Sequence, residues 1–218
     1  MGAWTRLIGA LTASLLLASC LLTPGKFTSK LVLNADRGFT YSYLGEVHAL
    51  DPESSMRQAA DDPNKGSPAK KAEAEAKNRA IADALTKEAG YRSVRYLGEG
   101  KFLIDYQVSG TLTHNFVYPF NVDAQAIVPF IAAELRANGT VRVKAPGFAN
   151  ENKGEMGRMS NDPSGDKLDG SFVLETDAEI VSTNNEDGAA TAGARKTLSW
   201  KVTPLTRDAP TAVLRLRP

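Results

Sequence analysis

Apolar and polar positions alternate with a two-residue period along most of this chain and switch to a helical period once. Residues 26–33 set Phe27, Ser29, Leu31 and Leu33 on one side, the pattern of a half-buried strand. Asn34 to Gly38 carry turn chemistry, and Phe39-Thr40-Tyr41-Ser42-Tyr43 then puts three aromatics on one face, so the two runs predict a hairpin. Residues 51–67 are polar and hold Pro52, Pro63 and Gly66, which predicts an irregular connection. Ser67-Pro68 reads as an N-cap with proline at the first helical position, and Gly90 stands where the helix should end. Between them Ala72, Ala76, Ala80 and Ala84 form a smooth stripe beside Ile81 and Leu85. That stripe is expected to lie on a sheet, chiefly through the second half of the helix, while Glu73–Lys77, Glu75–Arg79 and Asp83–Lys87 pair at i,i+4.

Beyond Gly90 the strand period returns. Arg92–Leu97 and Lys101–Leu112 flank Gly98-Glu99-Gly100, and Phe102, Ile104, Tyr106 and Val108 alternate cleanly. His114–Asn121 extends the sheet, with Pro119 confining it to an edge or a kink. Residues 126–137 fit either a helix entered at Pro129 or a strand, and the Asn138-Gly139 turn before Val141 and Val143 favours the strand. After an irregular stretch from Phe148 to Asp169, residues 170–181 read as one long strand turned back by Asn184–Gly188. Arg195–Pro204 follows with Leu198, Trp200 and Val202 on one face, and Ala212–Leu216 closes the pattern. The sum predicts an α+β fold, mainly an antiparallel sheet of hairpins with one long helix packed on a face.

The first twenty residues follow neither period. Leu7–Ala18 is an apolar run behind Arg6, too short to span a bilayer comfortably and suited to the core of a secretory signal. It ends in Leu17-Ala18-Ser19-Cys20, which resembles the bacterial lipobox and contains the only cysteine of the chain. An ordinary signal cleaved after Ser19, or a buried thiol, is the alternative. The expected organisation is a signal peptide over 1–19 (the signal helix), an acylated tether over 20–25 and a single exported α+β domain over 26–218. Leu21 follows the cysteine, and in the enteric sorting rule that this resembles aspartate there retains a lipoprotein in the inner membrane. Leucine therefore points to the outer membrane, with the periplasmic face favoured.

Removing the first 19 of 218 residues takes away Arg6 and leaves 199 residues with 25 basic and 25 acidic side chains. A neutral body gives no long-range steering toward nucleic acid. With Cys20 acylated no thiol remains for a disulfide, so packing alone must hold the exported domain. The chemistry of catalysis is sparse. His48 and His114 stand in no nucleophile motif, and no G-x-S-x-G, H-E-x-x-H, phosphate loop or dinucleotide fingerprint occurs. Asp162, Asp166 and Asp169 miss the spacing of a calcium loop, so no metal and no cofactor is expected.

Pro24-Gly25-Lys26-Phe27-Thr28-Ser29-Lys30-Leu31, Gly38-Phe39-Thr40-Tyr41 and Thr183-Asn184-Asn185-Glu186-Asp187-Gly188 resemble a group of uncharacterised proteobacterial lipoproteins. More distantly, the layout from Cys20 to Trp200 is similar to the mycobacterial LppM-type lipoproteins, although no membrane segment precedes Pro218. That likeness implies an antiparallel sheet with helices and a link to glycolipid, with no binding residue to carry over. The expected function is thus a non-enzymatic envelope lipoprotein that binds or handles a lipid or glycolipid. Phe39, Tyr41, Tyr43, Phe102, Ile104, Tyr106 and Trp200 are its candidate lining. The alternative is an assembly partner of an envelope protein, docking by an edge strand or by the loop of Met156 and Met159. A hydrolase would need His48 or His114 beside a serine or aspartate in a cleft.

Overall fold

The computed structural model describes residues 21–50, 68–119, 129–150 and 167–217. The signal segment, Cys20, the 51–67 connection, Met156, Met159, Asp162 and Asp166 lie outside them. In chain order the elements are β1 (Leu21–Leu33), β2 (Gly38–Leu50), α1 (Pro68–Leu85), β3 (Tyr91–Gly98), β4 (Lys101–Thr111), β5 (Phe116–Tyr118) and β6 (Ile131–Leu135). Then come β7 (Thr140–Lys144), a 3-10 turn at Pro146–Phe148, β8 (Asp169–Thr176), β9 (Glu179–Thr183), β10 (Ala190–Ala192), β11 (Arg195–Val202) and β12 (Thr211–Arg215). The fold is α+β, strand-rich, with one helix among the described residues.

The strands form two sheets. The larger has the order β10-β11-β8-β1-β2-β4-β3 and the smaller the order β5-β6-β7-β12-β9. Alternation places the side chains, and the register aligns them: Leu31 with Tyr41 and Leu174, Tyr43 with Tyr106, Val47 with Phe102, and Phe172 with Trp200. One face of the larger sheet is therefore apolar from Leu198 to Phe102. The smaller sheet meets it with Tyr118, Ile131, Ala133, Val141, Val143, Ala212 and Leu214, all buried. Helix α1 continues that second layer beside β3, burying Ile81, Ala82 and Leu85.

Several expectations change here. Residues 170–181 are not one strand: Asp177-Ala178 break it, sending β8 to the larger sheet and β9 to the smaller. Thr176, fully buried, holds that corner by donating to the Leu33 carbonyl at 2.6 Å and accepting the Ala178 amide at 3.0 Å. The pairing of β1 with β8 is parallel, the one departure from an otherwise antiparallel set among the described residues. Residues 21–25, read as a tether, belong to β1 and pair with residues 47–50 across a bulge after Pro24. The alanine stripe does not face the sheet, since Ala72, Ala76 and Ala80 are exposed. The helix meets β3, an edge strand, so its second half alone finds apolar surface to cover.

The sheet margins are short or irregular. β5 and β10 have three residues each. β9 bulges at Val181, between the Ser182–Val213 and Ile180–Leu214 pairs. β3 slips register against β4 at both ends.

Candidate functional site

The seven candidate lining residues do share one face, as their alternation requires, and the structure divides them by exposure. Tyr41, Tyr43, Phe102 and Ile104 are buried in the layer between the sheets, whereas Phe39, Tyr106 and Trp200 stay half-buried. Rings from outside the alternating runs join them: Tyr91, Phe116, Tyr118, Phe130 and Phe148. Tyr118 touches Tyr41, Tyr43 and Tyr106 at centroid distances of 5.2, 5.9 and 4.3 Å. Phe27 stacks on Tyr43 at 5.6 Å and on Phe148 at 4.3 Å, and Phe172 stacks on Trp200 at 5.5 Å. Such pairs add about 0.5–1.5 kcal/mol each beyond burial, so the aromatic layer is the cement of the core.

Two glycines make room for it. Phe27 lies between Gly45 of β2 and Gly170 of β8 in the register. A Cβ on Gly45 would stand 2.4 Å from Phe27 Cβ, and one on Gly170 would stand 2.6 Å from its ring. Bare backbone on both sides lets the ring lie across the sheet and reach Phe148.

The buried phenols are satisfied locally. Ser29 Oγ lies 3.1 Å from the Tyr41 hydroxyl, to which it donates, and 3.2 Å from the Ser42 carbonyl. Tyr43 donates to the Glu46 carbonyl at 2.8 Å. Burial holds Tyr41, Tyr43 and Tyr118 far above the usual phenol range, the Ser29 contact offsetting a little of it at Tyr41. Burial likewise pushes Tyr91 up to about 12. None of these phenols is an acid or base near neutral pH.

Where β2 begins, the layer opens. Phe39 and Phe116 meet at 5.0 Å, Tyr91 and Tyr106 at 4.9 Å, and with Val108 all are half-buried. This group is the accessible end of the aromatic face. Phe39 and Tyr106 were legible in the alternation. Tyr91 and Phe116 sit where the pattern is short, beside Gly90 and before Pro119. Trp200 forms a second half-open point, its indole Nε1 buried without a hydrogen-bond partner among the described residues.

The two histidines sit in different surroundings. His48 is buried near the end of β2, its ring packed where a Gly25 Cβ would stand. His114 is exposed, with Nδ1 at 3.0 Å from Thr113 Oγ1. Among the described residues no cluster of three His, Cys, Asp or Glu is placed to hold a metal, and no helix is long and apolar enough to cross a membrane.

A tie of another kind holds α1. Glu75 Oε1 accepts the Tyr96 hydroxyl at 2.9 Å and the Glu99 amide at 3.0 Å, and Tyr96 in turn accepts the Gly100 amide at 3.1 Å. The Tyr96 and Glu99 hydrogen bonds draw the Glu75 carboxyl below its ordinary value. Glu75, expected to serve Arg79 along the helix, thus clamps the β3–β4 turn.

No protein-family model matches the chain, and no curated protein matches it. Among solved structures it is similar to the folded domain of Mycobacterium tuberculosis LppM, determined by NMR. The identity is 14% and the TM-score 0.32, over 91% of this chain and 93% of that one. So loose a superposition carries no argument about a ligand, and the site stands on its own geometry.

Proposed function

We propose that this protein is a non-enzymatic envelope lipoprotein, anchored in the outer membrane through acylated Cys20, that binds or handles a lipid or glycolipid. The anchor rests on the apolar run ending in Leu17-Ala18-Ser19-Cys20. The observation that supports a ligand is the half-open group of Phe39, Tyr91, Tyr106 and Phe116, with Val108, at the end of the aromatic layer where β2 begins. Aromatic rings that are half wet suit an amphipathic molecule, with apolar surface for a chain and phenol hydroxyls for a polar head. Tyr41 and Tyr43 back this group, Tyr41 against Phe116 and Tyr106 and Tyr43 beside Tyr106 in the register, whereas Phe102 and Ile104 lie toward the other end of the sheet and belong to the core. The test is native mass spectrometry on protein extracted without denaturant. A stoichiometric lipid that is lost in Tyr106→Ser and Phe39→Ser, both folded, supports the reading. A protein empty in every preparation refutes it.

Docking to an envelope protein is the second reading. Leu44 favours it: this leucine is 53% exposed near the middle of the outer face of the larger sheet, between Thr28 and Asp105 in the register. Crosslinking in cells from position 44 tests it, and capture of lipid alone counts against it.

A further inference from the structure

We infer that the end of the larger sheet that carries Leu21 is a membrane-apposed surface, with Leu97 and Leu205 seated among lipid headgroups. This rests on the reading of Cys20 as the acylated residue. Strand β1 begins at Leu21, the residue after that cysteine. Consecutive Cα atoms are about 3.8 Å apart, so no slack separates the lipid from the folded sheet. A lipoprotein with a tether samples many orientations, whereas this one has its sheet end fixed at the interface.

Strand directions identify what shares that end. β1 starts there and β2 finishes there, with Leu21 opposite Leu50. β3 ends and β4 starts there, because Gly98 pairs with Lys101, which faces His48 and through it Thr23. β11 also finishes there, as Val202 pairs with Gly170, the partner of Phe27. The Gly98-Glu99-Gly100 turn therefore lies beside that end, and the 203–206 turn points the same way from farther back, since Val202 is level with Phe27, about 17 Å from Leu21 at 3.3 Å per residue. Two of the four large apolar side chains exposed among the described residues sit on them, Leu205 at 87% and Leu97 at 47%.

The depth fits. Gly98 is set back from Leu21 by two residues of strand, about 7 Å at 3.3 Å per residue. Interfacial apolar groups bury about 5–10 Å into the headgroup and acyl boundary. A sheet end held within one peptide of the anchor thus brings Leu97 to that layer, and the 203–206 turn, running on from Val202 toward the same end, carries Leu205 to its outer edge. The chain beyond the signal is charge-neutral, so covalent attachment rather than charge attraction imposes the contact. At the opposite end stand the Asn34–Arg37 turn and the Gly193-Ala194 tip of the β10–β11 hairpin.

The test uses full-length protein processed in an enteric bacterium and reconstituted in phosphatidylethanolamine and phosphatidylglycerol vesicles. Leu97→Cys, Leu205→Cys and Ala194→Cys each receive an environment-sensitive fluorophore, the acylated Cys20 being unreactive. Labels at 97 and 205 are expected to shift to the blue and to be quenched by brominated lipid, while 194 stays water-like. Roughly ten glycine and serine residues inserted after Cys20, an r.m.s. span of about 17 Å, are expected to return 97 and 205 to water. Water-like labels at 97 and 205 with Cys20 acylated overturn this inference and leave the anchor standing. A label at 194 as blue as that at 205 means a domain lying flat, and overturns it too. Cys20 without acyl mass overturns the anchor and this inference together.

Discussion

Tyr41 distinguishes a wall of a ligand cavity from a piece of the core, and the distinction has a magnitude. Its ring is wholly buried and touches Tyr118 at 5.2 Å, Phe116 at 5.5 Å and Tyr106 at 6.3 Å. Truncating an aromatic in a closed core costs about 3–5 kcal/mol, from lost transfer energy and the void left behind. Removing the hydroxyl alone leaves Ser29 free to donate to the Ser42 carbonyl, so Tyr41→Phe is expected to cost about 1 kcal/mol. In a protein of this size each kcal/mol shifts Tm by about 2–4 °C. Tyr41→Ala should thus melt roughly 6–20 °C lower and Tyr41→Phe a few degrees lower. Trp200 is the single tryptophan after Trp4, so urea unfolding of the chain from Leu21 onward is read by its fluorescence. If Tyr41 instead lined an open cavity, Tyr41→Ala would cost about 1 kcal/mol or less in lipid-free protein. That result would refute the assignment of Tyr41 to the core.

Alkaline titration tests the other phenols. Their folded values are raised, so their stabilisation is intact below 10.0, the ordinary tyrosine value, and falls as pH climbs toward the folded values. Stability measured from pH 9 to 12 should decline above pH 10, by about 1.4 kcal/mol per unit for each buried tyrosine; a flat profile would mean that water reaches them. Gly45→Ala should destabilise by about 1–3 kcal/mol in the same unfolding assay, because its Cβ has to displace Phe27. Glu75→Ala should speed hydrogen exchange at the Glu99 amide. Since the Glu75 carboxyl is lowered, wild-type protection there should persist above the ordinary carboxylate range and fade as pH drops through the lowered value. Unchanged exchange in the variant would remove the clamp.

Local chemistry made much of the fold legible. Ser67-Pro68 marked the start of α1 and Asn138-Gly139 marked the β6–β7 turn, because caps and turns depend on neighbouring residues alone. Phe102 to Val108 announced β4 for the same reason. The parallel pairing of β1 with β8 joins segments over 140 residues apart and leaves no local trace. Pro24-Gly25 reads as part of a tether, yet here it is absorbed as a bulge within β1. Alternation also cannot separate a face covered by a second sheet from one lining a cavity. Tyr41 and Phe39 therefore looked alike, and only Tyr118 and Phe116 arriving from β5 set them apart.

The short and bulged sheet margins acquire a meaning once copies are confined to a plane. A membrane-held protein meets its neighbours in two dimensions at high local concentration, where open backbone amides on a long flat strand would recruit the next copy. β5 and β10 offer three residues, β9 is thrown out of line at Val181, and β3 slips against its partner. Each is a known way of denying a template to an incoming strand. With Cys20 acylated as proposed above, the fold can be crowded on a bilayer without zipping into fibres.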